Sequence, residues 1–147
     1  MNTVLTHNAQ ETQELGRKLA QQLRSGDVVV LDGDMGMGKS ELARGIAKGL
    51  GVVETVTSPS FTILQMYTSG SIPLYHFDWY RIASVEEIYE LSMEEYLGGD
   101  GIALVEWASQ AREIIPPTHL HIALQRVEEN TRRITLTPMG GFRHITC

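Results

Sequence analysis

The segment GDMGMGKS at residues 33–40 constrains the fold of this 147-residue chain more than any other feature. It matches the pattern G-x-x-x-x-G-K-[ST] of a phosphate-binding loop at every defined position. The glycines let the backbone curl until successive N–H groups point into one anion-sized hollow. Such a loop follows a buried strand and opens a helix. The run VVVLD at 28–32 predicts that strand, and the periodic segment KSELARGIAKGL at 39–50 predicts that helix.

The chemistry of this loop predicts a binding site for a nucleoside triphosphate. Lys39 can bring a positive charge to the β- and γ-phosphates, and the hydroxyl of Ser40 can ligate Mg²⁺. The helix that begins here adds the positive end of its dipole. The residues expected to contact the nucleotide in and beside the loop are Gly33, Asp34, Met35, Gly36, Met37, Gly38, Lys39, Ser40 and Glu41.

The remaining pattern predicts a single α/β domain over residues 1–147, a length that suits one domain. Capping boxes are predicted at two helix starts, Asn8/Glu11 and Ser84/Glu87. The further predicted helices cover 8–25, 84–97 and a short stretch to about 115; the further strands cover 61–67, 72–79, 102–106, 119–125 and 132–137, and 142–146 can extend the last pair. Together these elements indicate a P-loop NTPase-like three-layer α/β sandwich with a mixed parallel and antiparallel sheet.

Charge and cysteine content exclude several function classes. The chain has 18 acidic and 12 basic side chains and a net charge of −6, which disfavours an autonomous nucleic-acid binder. Its one cysteine, Cys147, cannot form an internal disulfide or a Cys-based zinc site. Apolar runs stay far below the ~18 residues of a membrane-spanning helix, and no secretory signal is evident. We therefore expect a cytoplasmic protein with no membrane partner.

Two carboxylates stand at predicted strand ends, where phosphate-loop enzymes place the acid that holds Mg²⁺ or orients the attacking water. Glu106 follows the apolar run IALV, and this position favours a functional role over that of a solvated charge. Asp78 ends the second hairpin strand, and for it both interpretations stay open.

Two neighbours of these carboxylates allow more than one interpretation. His76 and Asp78 have the i, i+2 spacing of side chains on one face of a strand, but a metal site would need further ligands, so a structural histidine is favoured. Trp107 follows Glu106 directly. It can be a core residue or can pack on a partner or the nucleotide, and the two interpretations have equal weight.

Four ordered blocks of sequence carry a family resemblance. They are GDMGMGKSELARGIAKGLG at 33–51, VTSPSFTILQMY at 56–67, LYHFDWYRI at 74–82 and LVEW at 104–107. In these blocks the chain resembles the TsaE (YjeE) family, small bacterial ATPases required for making N6-threonylcarbamoyladenosine in tRNA. The resemblance runs from the first helix to about residue 137.

The resemblance implies ATP and Mg²⁺ as ligands and assigns roles to matching positions. Lys39 and the loop amides would hold the phosphates, and Ser40 would be a magnesium ligand. Glu106 would be the acidic partner of magnesium and the attacking water, and Asp78 would also serve ATP hydrolysis. Thr57 falls in a segment similar to a switch loop that senses the γ-phosphate. Thr12 in the first helix and Arg132 or Arg133 in the last hairpin lie in regions that approach the nucleotide in relatives.

The resemblance also implies partners: the TsaD and TsaB subunits of the threonylcarbamoyl-transfer pair, with TsaC supplying the activated carbamoyl-adenylate. The acidic net charge agrees with tRNA being held by those partners and contacted only indirectly by this chain. The sequence departs from the family pattern at Ala108 and Ser109, where Pro and an acidic or amide residue are usual. Glu41 also replaces a usual hydroxyl residue, and Ser40 replaces the commoner Thr.

Three other functions use a similar loop. A small-molecule kinase usually carries an arginine-rich lid, and no such segment stands out. A GTPase needs an Asn-Lys-x-Asp element, which the chain lacks. A nucleotide-binding scaffold without turnover would not need Glu106 and Asp78. The kinase is the main alternative to a partner-dependent ATPase.

Overall fold

A computed structural model describes residues 1–34, 36–59 and 61–146 of the protein. Within these residues one seven-stranded sheet has the order β1-β7-β6-β2-β5-β4-β3. Its strands are β1 (Asn2–Thr6), β2 (Val28–Asp32), β3 (Leu64–Tyr67), β4 (Leu74–Asp78), β5 (Ile102–Glu106), β6 (His119–Arg126) and β7 (Arg132–Met139). The helices are α1 (Ala9–Ala20), α2 (Lys39–Gly49) and α3 (Val85–Glu90), with 3₁₀ helices at Met93–Tyr96 and Ala108–Ile114.

The centre of the sheet is parallel and its edges are antiparallel. β2 lies between β6 and β5 and is parallel to both, and β4 runs parallel to β5 on the far side. β3 joins β4, and β7 joins β6 and β1, in antiparallel pairs. The predicted mixed sheet is therefore confirmed. Because β2, β4 and β5 are parallel neighbours, their carboxyl ends meet at one edge of the sheet.

Alternate side chains of the central strands feed two separate hydrophobic clusters, as the period of two in a strand requires. Leu104 on β5 packs with α1 and α2 on one face of the sheet. Its neighbour Val105 packs on the other face with Ile88 of α3 and Trp79. Helices thus cover both faces, which confirms the three-layer sandwich.

The helices α1 and α2 approach closely through glycines. A Cβ added at Gly16 would lie 2.5 Å from the carbonyl oxygen of Leu42, and one added at Gly45 would lie 2.0 Å from that of Gln13. Each glycine therefore admits the backbone of the other helix. The contact seats α2, which begins at the last residues of the phosphate loop, firmly on α1.

The first strand, β1, was not predicted from the sequence. Asn2–Thr6 pairs with β7 in register from Asn2 opposite Leu136 to Thr6 opposite Arg132. Three of its five residues are polar and only Thr6 is buried, so no apolar pattern announces it. Its existence depends on the exposed edge of β7, far away in the sequence.

Two predicted helices differ from the structure. The first begins as expected, with Asn8 Oδ1 accepting from the Glu11 amide at 2.8 Å, but it ends at Ala20 rather than 25. The helix predicted over 84–97 is broken: α3 ends at Glu90, and Ser92 adopts a left-handed φ of 54° before the 3₁₀ helix. Ser84 makes no side-chain capping bond. Polar, acidic residues alone do not hold a long helix together without an apolar stripe packed against a partner.

The bounds of other predicted elements differ from the structure by a few residues. The strand predicted from 61 begins at Leu64, because Ile63 has a left-handed φ of 69° that interrupts extended backbone. No strand forms over 142–146. Across residues 1–34, 36–59 and 61–146, none of the helices combines the length and apolarity needed to traverse a bilayer.

The close approach of α1 and α2 makes a prediction that opposes helix propensity. On propensity alone, Gly45→Ala would stabilise α2 by about 1 kcal/mol. Because the added methyl meets backbone, we expect Gly45→Ala instead to lower the free energy of unfolding by about 1–3 kcal/mol. Urea denaturation measures this difference.

The matched control is Lys18→Ala on the exposed face of α1, expected to change stability by no more than about 0.5 kcal/mol. A Gly45→Ala protein as stable as the wild type would show that the two helices are not in this close contact.

Candidate functional site

The phosphate loop joins the central strand β2 to α2, as predicted. Gly36 and Gly38 have left-handed φ angles of 80° and 97°, which residues with side chains rarely adopt. Gly38 caps α2, and its carbonyl accepts from the Leu42 amide at 3.0 Å. The first N–H groups of the helix therefore have no intrahelical acceptor and open toward the loop. Met35, also predicted to contact the nucleotide, lies outside the described residues.

Lys39 is the first residue of α2 and is only 6% exposed. Its Nζ lies 3.6 Å from Oε1 of Glu106 and 4.7 Å from the centre of the Trp107 ring. Trp107 itself has a left-handed φ of 57°, which is unusual for a bulky residue. Its ring also contacts Tyr80 at 4.8 Å between centroids. The lysine is thus held over the ends of β2 and β5 by a carboxylate and an aromatic face.

The two predicted carboxylates lie side by side. Asp78 and Glu106 are partners in the parallel register of β4 and β5, and both are buried. Oδ1 of Asp78 accepts from the Tyr80 amide at 2.9 Å. Their position beside Lys39 follows from the parallel strands, whose ends lie at the same edge.

Glu106 has a second partner that the sequence did not reveal. Nε2 of His76 lies 2.6 Å from its Oε2, and His76 is 1% exposed. Burial works to raise the pKa of Glu106, but the His76 hydrogen bond and the positive charge of Lys39 outweigh it and hold this pKa below its ordinary value. Glu106 is therefore a carboxylate at neutral pH.

A cavity of about 350 Å³ opens between the loop and these side chains. The residues that line it are Gly36, Gly38, Lys39, Ser40, Glu41, Ser58, Asp78, Glu106 and Trp107. Loop glycines, one lysine, two serines and three acidic residues thus line a common space. That combination can bind an anion on one side and a cation on the other.

The oxygen donors around this cavity fit Mg²⁺. Ser40, Asp78 and Glu106 present a hydroxyl and two carboxylates, the donors that a hard divalent cation prefers. In the described part of the chain, no three His, Cys, Asp or Glu side chains form a group that could hold a metal ion by themselves. Mg²⁺ usually keeps water and uses phosphate oxygens as well, so one hydroxyl and two carboxylates are compatible with this ion.

The other half of the loop faces a second cavity, of about 450 Å³. Gly33, Asp34 and Met37 line it together with Arg126 at the end of β6. Sequence reasoning missed Arg126. Arg126 reaches the loop because β6 is the other parallel neighbour of β2. Local sequence patterns do not reveal this strand order.

A third cavity, of about 380 Å³, lies on the other side of Lys39 and Trp107. Arg112, His119 and His121 also line it. It adjoins the 350 Å³ cavity beside the phosphate loop through these two shared residues.

The remaining predicted residues lie at different distances from the loop. The methyl group of Thr12 would be 4.0 Å from a Cβ on Gly38, and its hydroxyl lies 2.8 Å from that of Thr6. Thr12 therefore packs close to the loop at Gly38. The amide of Thr57 donates to the Tyr67 hydroxyl at 3.2 Å, while its neighbour Ser58 lines the cavity that Lys39 and Glu106 also line.

Arg132 and Arg133, which are predicted to approach the nucleotide, are the first two residues of β7. Nη1 of Arg132 donates to the carbonyls of the β6–β7 turn, including that of Glu129 at 3.0 Å. Arg133 is exposed and pairs with Leu5 of β1 in the sheet. In the described structure, neither arginine lines any of the three cavities. Their approach to the nucleotide stays a prediction.

Comparisons with known proteins agree on one family. The family model described as "Threonylcarbamoyl adenosine biosynthesis protein TsaE" matches residues 6–134. The tRNA threonylcarbamoyladenosine biosynthesis protein TsaE of Bacillus subtilis is 39% identical over 142 residues, covering 97% of this chain and 89% of the relative. The protein of the same name from Treponema pallidum is 36% identical over 132 residues, covering 90% and 97%.

The crystal structure of Bacillus subtilis YdiB matches the fold with a TM-score of 0.81 and 37% sequence identity, over 95% of this chain and 86% of that one. The shared fold and the loop between β2 and α2 define a P-loop NTPase-like α/β protein. Together with the match of the family model, these relatives show that the chain belongs to the TsaE family.

Proposed function

We propose that this protein is a Mg²⁺-dependent ATPase that acts in threonylcarbamoyladenosine biosynthesis for tRNA, on the TsaD–TsaB complex in the cytoplasm. The observation that carries the proposal is the convergence of Lys39, Asp78 and Glu106 on one cavity beside the phosphate loop. The relatives from Bacillus subtilis and Treponema pallidum are named as proteins of this biosynthesis.

The loop and Lys39 would bind the triphosphate. Nζ of Lys39 already lies at the cavity wall, 3.6 Å from Glu106, so phosphate oxygens can replace this partner without a large movement of the side chain. The α2 amides and the helix dipole favour the same anion. Arg126, beside the other half of the loop, offers a further cation to the nucleotide.

The hydroxyl of Ser40 and the carboxylates of Asp78 and Glu106 would hold Mg²⁺, which neutralises charge on the phosphates when bound. Glu106 is ionised because His76 and Lys39 hold its pKa low, so it can accept a hydrogen bond from the attacking water and orient it. Asp78, its register partner, would complete the acidic side of the cavity.

The segment around Thr57 would couple the nucleotide to partners. It links α2 to β3 with irregular backbone, and Ser58 faces the cavity where the γ-phosphate would lie. Segments that are ordered by a γ-phosphate and released on hydrolysis are common nucleotide switches. The net charge of −6 favours a role in which the partners hold the tRNA.

A small-molecule kinase is the second candidate, because the cavity lined by Arg112, His119 and His121 adjoins Lys39. A second substrate bound there would lie next to the phosphates. The two functions differ in what makes ATP consumption begin.

Removing the charge of Lys39 should abolish tight ATP binding. We expect Lys39→Ala to raise the Kd for MgATP by at least about 10-fold, since a charge-assisted hydrogen bond contributes about 1.5–3 kcal/mol. Isothermal titration calorimetry measures the change. Lys48→Ala, at the far end of the same helix and exposed, removes an equal charge and should bind as the wild type does. Equal affinity in both variants would reject the phosphate-loop assignment.

Glu106→Gln should separate binding from hydrolysis. The amide keeps the shape of the side chain but cannot orient or accept from the water as a carboxylate does. We expect ATP affinity close to that of the wild type and a kcat lower by about 100-fold or more, measured by phosphate release. Glu90→Gln on the exposed end of α3 is the control and should hydrolyse normally. Normal turnover in Glu106→Gln would remove Glu106 from the mechanism.

The partners should control turnover. We expect that adding TsaD and TsaB produces a complex in size-exclusion chromatography and raises the rate of ATP hydrolysis, because partner contacts order the switch segment. Absence of both effects would contradict the proposed partnership. ATP consumption that starts only when a small metabolite is added would favour the kinase.

A further inference from the structure

His76 occupies an unusual place for a polar side chain. It lies in the interior of β4, between β3 and β5, and is 1% exposed. Along β4 the side chains of Tyr75 and Phe77 point into the cluster around Trp79, so His76 points to the opposite face with Leu74. That is the face on which α2 and the phosphate loop lie.

The two nitrogens of this imidazole have opposite environments. Nε2 is 2.6 Å from Oε2 of Glu106, whereas Nδ1 is buried and has no hydrogen-bond partner among the described residues. A carboxylate can only accept a hydrogen bond, so Nε2 must carry the hydrogen. A hydrogen on Nδ1 would be buried without an acceptor. The arrangement therefore selects the tautomer with hydrogen on Nε2.

The two oxygens of the Glu106 carboxylate have different contacts. Oε2 is occupied by His76, and Oε1 is the oxygen 3.6 Å from Lys39. The carboxylate plane cannot rotate freely while Oε2 is held. Oε1 therefore keeps its direction toward Lys39 and the nucleotide cavity.

We propose that His76 is a positioning residue for Glu106: it donates from Nε2 to Oε2 and thereby aims Oε1 at the water and cation beside the γ-phosphate. This inference rests on the proposed ATPase function. Groups that orient a catalytic or metal-binding side chain from behind commonly affect activity about as strongly as the ligands themselves.

The geometry disfavours a purely structural role. A histidine that only filled space would leave Nδ1 buried without a partner and would gain nothing from being polar, because an apolar side chain of similar size avoids that desolvation. The unpaired Nδ1 is tolerated because the other nitrogen holds Glu106. Leu74, on the same face of β4 as His76, is buried in an apolar cluster, so this face of the strand accepts apolar side chains.

Three substitutions distinguish donor position from size. The amide nitrogen of Gln can reach the place of imidazole Nε2, whereas that of Asn corresponds to Nδ1 and is too short, and Phe fills the space with no donor. We expect His76→Asn and His76→Phe to lower kcat for ATP by about 10–100-fold. We expect their KM and their MgATP affinity to stay close to the wild-type values, and His76→Gln to recover most of the rate. His144→Gln on the exposed C-terminal segment is the control and should behave as the wild type does.

Two results would overturn the proposal: normal kcat in His76→Asn and His76→Phe, or a His76→Gln protein as slow as those two. An equal fall in MgATP affinity and kcat would also overturn it, because that pattern indicates general damage to the site. Thermal unfolding of each variant checks that the fold is retained.

A measurement without turnover tests the hydrogen bond itself. In ¹H–¹⁵N spectra of the imidazole nitrogens, we expect His76 to carry hydrogen on Nε2 and to show a perturbed Nε2–H signal that changes in Glu106→Gln. A hydrogen on Nδ1 alone would overturn the proposal even if the protein hydrolyses ATP. A wild-type protein that binds no ATP would instead reject the proposed function, and the spectra would still decide whether His76 holds Glu106.

Discussion

The pairing of buried opposite charges at the ends of β2 and β5 is the interaction on which the site depends. Lys39 and Glu106 are 6% and 5% exposed, and each would be costly to bury alone. Their 3.6 Å contact, together with the His76 hydrogen bond to Glu106, makes this burial tolerable. The same groups are those that a triphosphate and its cation would engage in the proposed function, so the contacts that preorganise the site are the ones that these ligands would exchange.

Strand register and helix packing hold these charges in place. The parallel pairing of Asp78 with Glu106 sets the two carboxylates side by side, while β2, the other neighbour of β5, leads directly into the loop. On the helical side, the contact through Gly16 and Gly45 fixes α2 against α1. A sheet edge and a helix start therefore meet with little freedom, which is what a site for a small polyanion requires.

Local sequence features predicted the parts of the site that depend on local chemistry. The glycines, Lys39 and Ser40 have one pattern and one structural context, and the predicted strand and helix flank them as expected. Glu106 could be anticipated because a carboxylate after four apolar residues must lie at the end of a buried strand. The strand β1 could not, since it is short and mostly polar and forms only against the edge of β7. The break at Ser92 was equally hidden, because a left-handed φ at a serine leaves no pattern in the sequence.

Residue type and spacing act locally, and they are enough to predict the phosphate loop, the mixed α/β architecture and the two carboxylates. The folded sheet determines which side chains meet around them. It brought His76 to Glu106 from 30 residues away and Arg126 to the loop, and it turned Arg132 toward its own hairpin turn. These contacts follow from strand order and register, which are set by long-range packing of the whole sheet. Spacing along the chain carries no record of them.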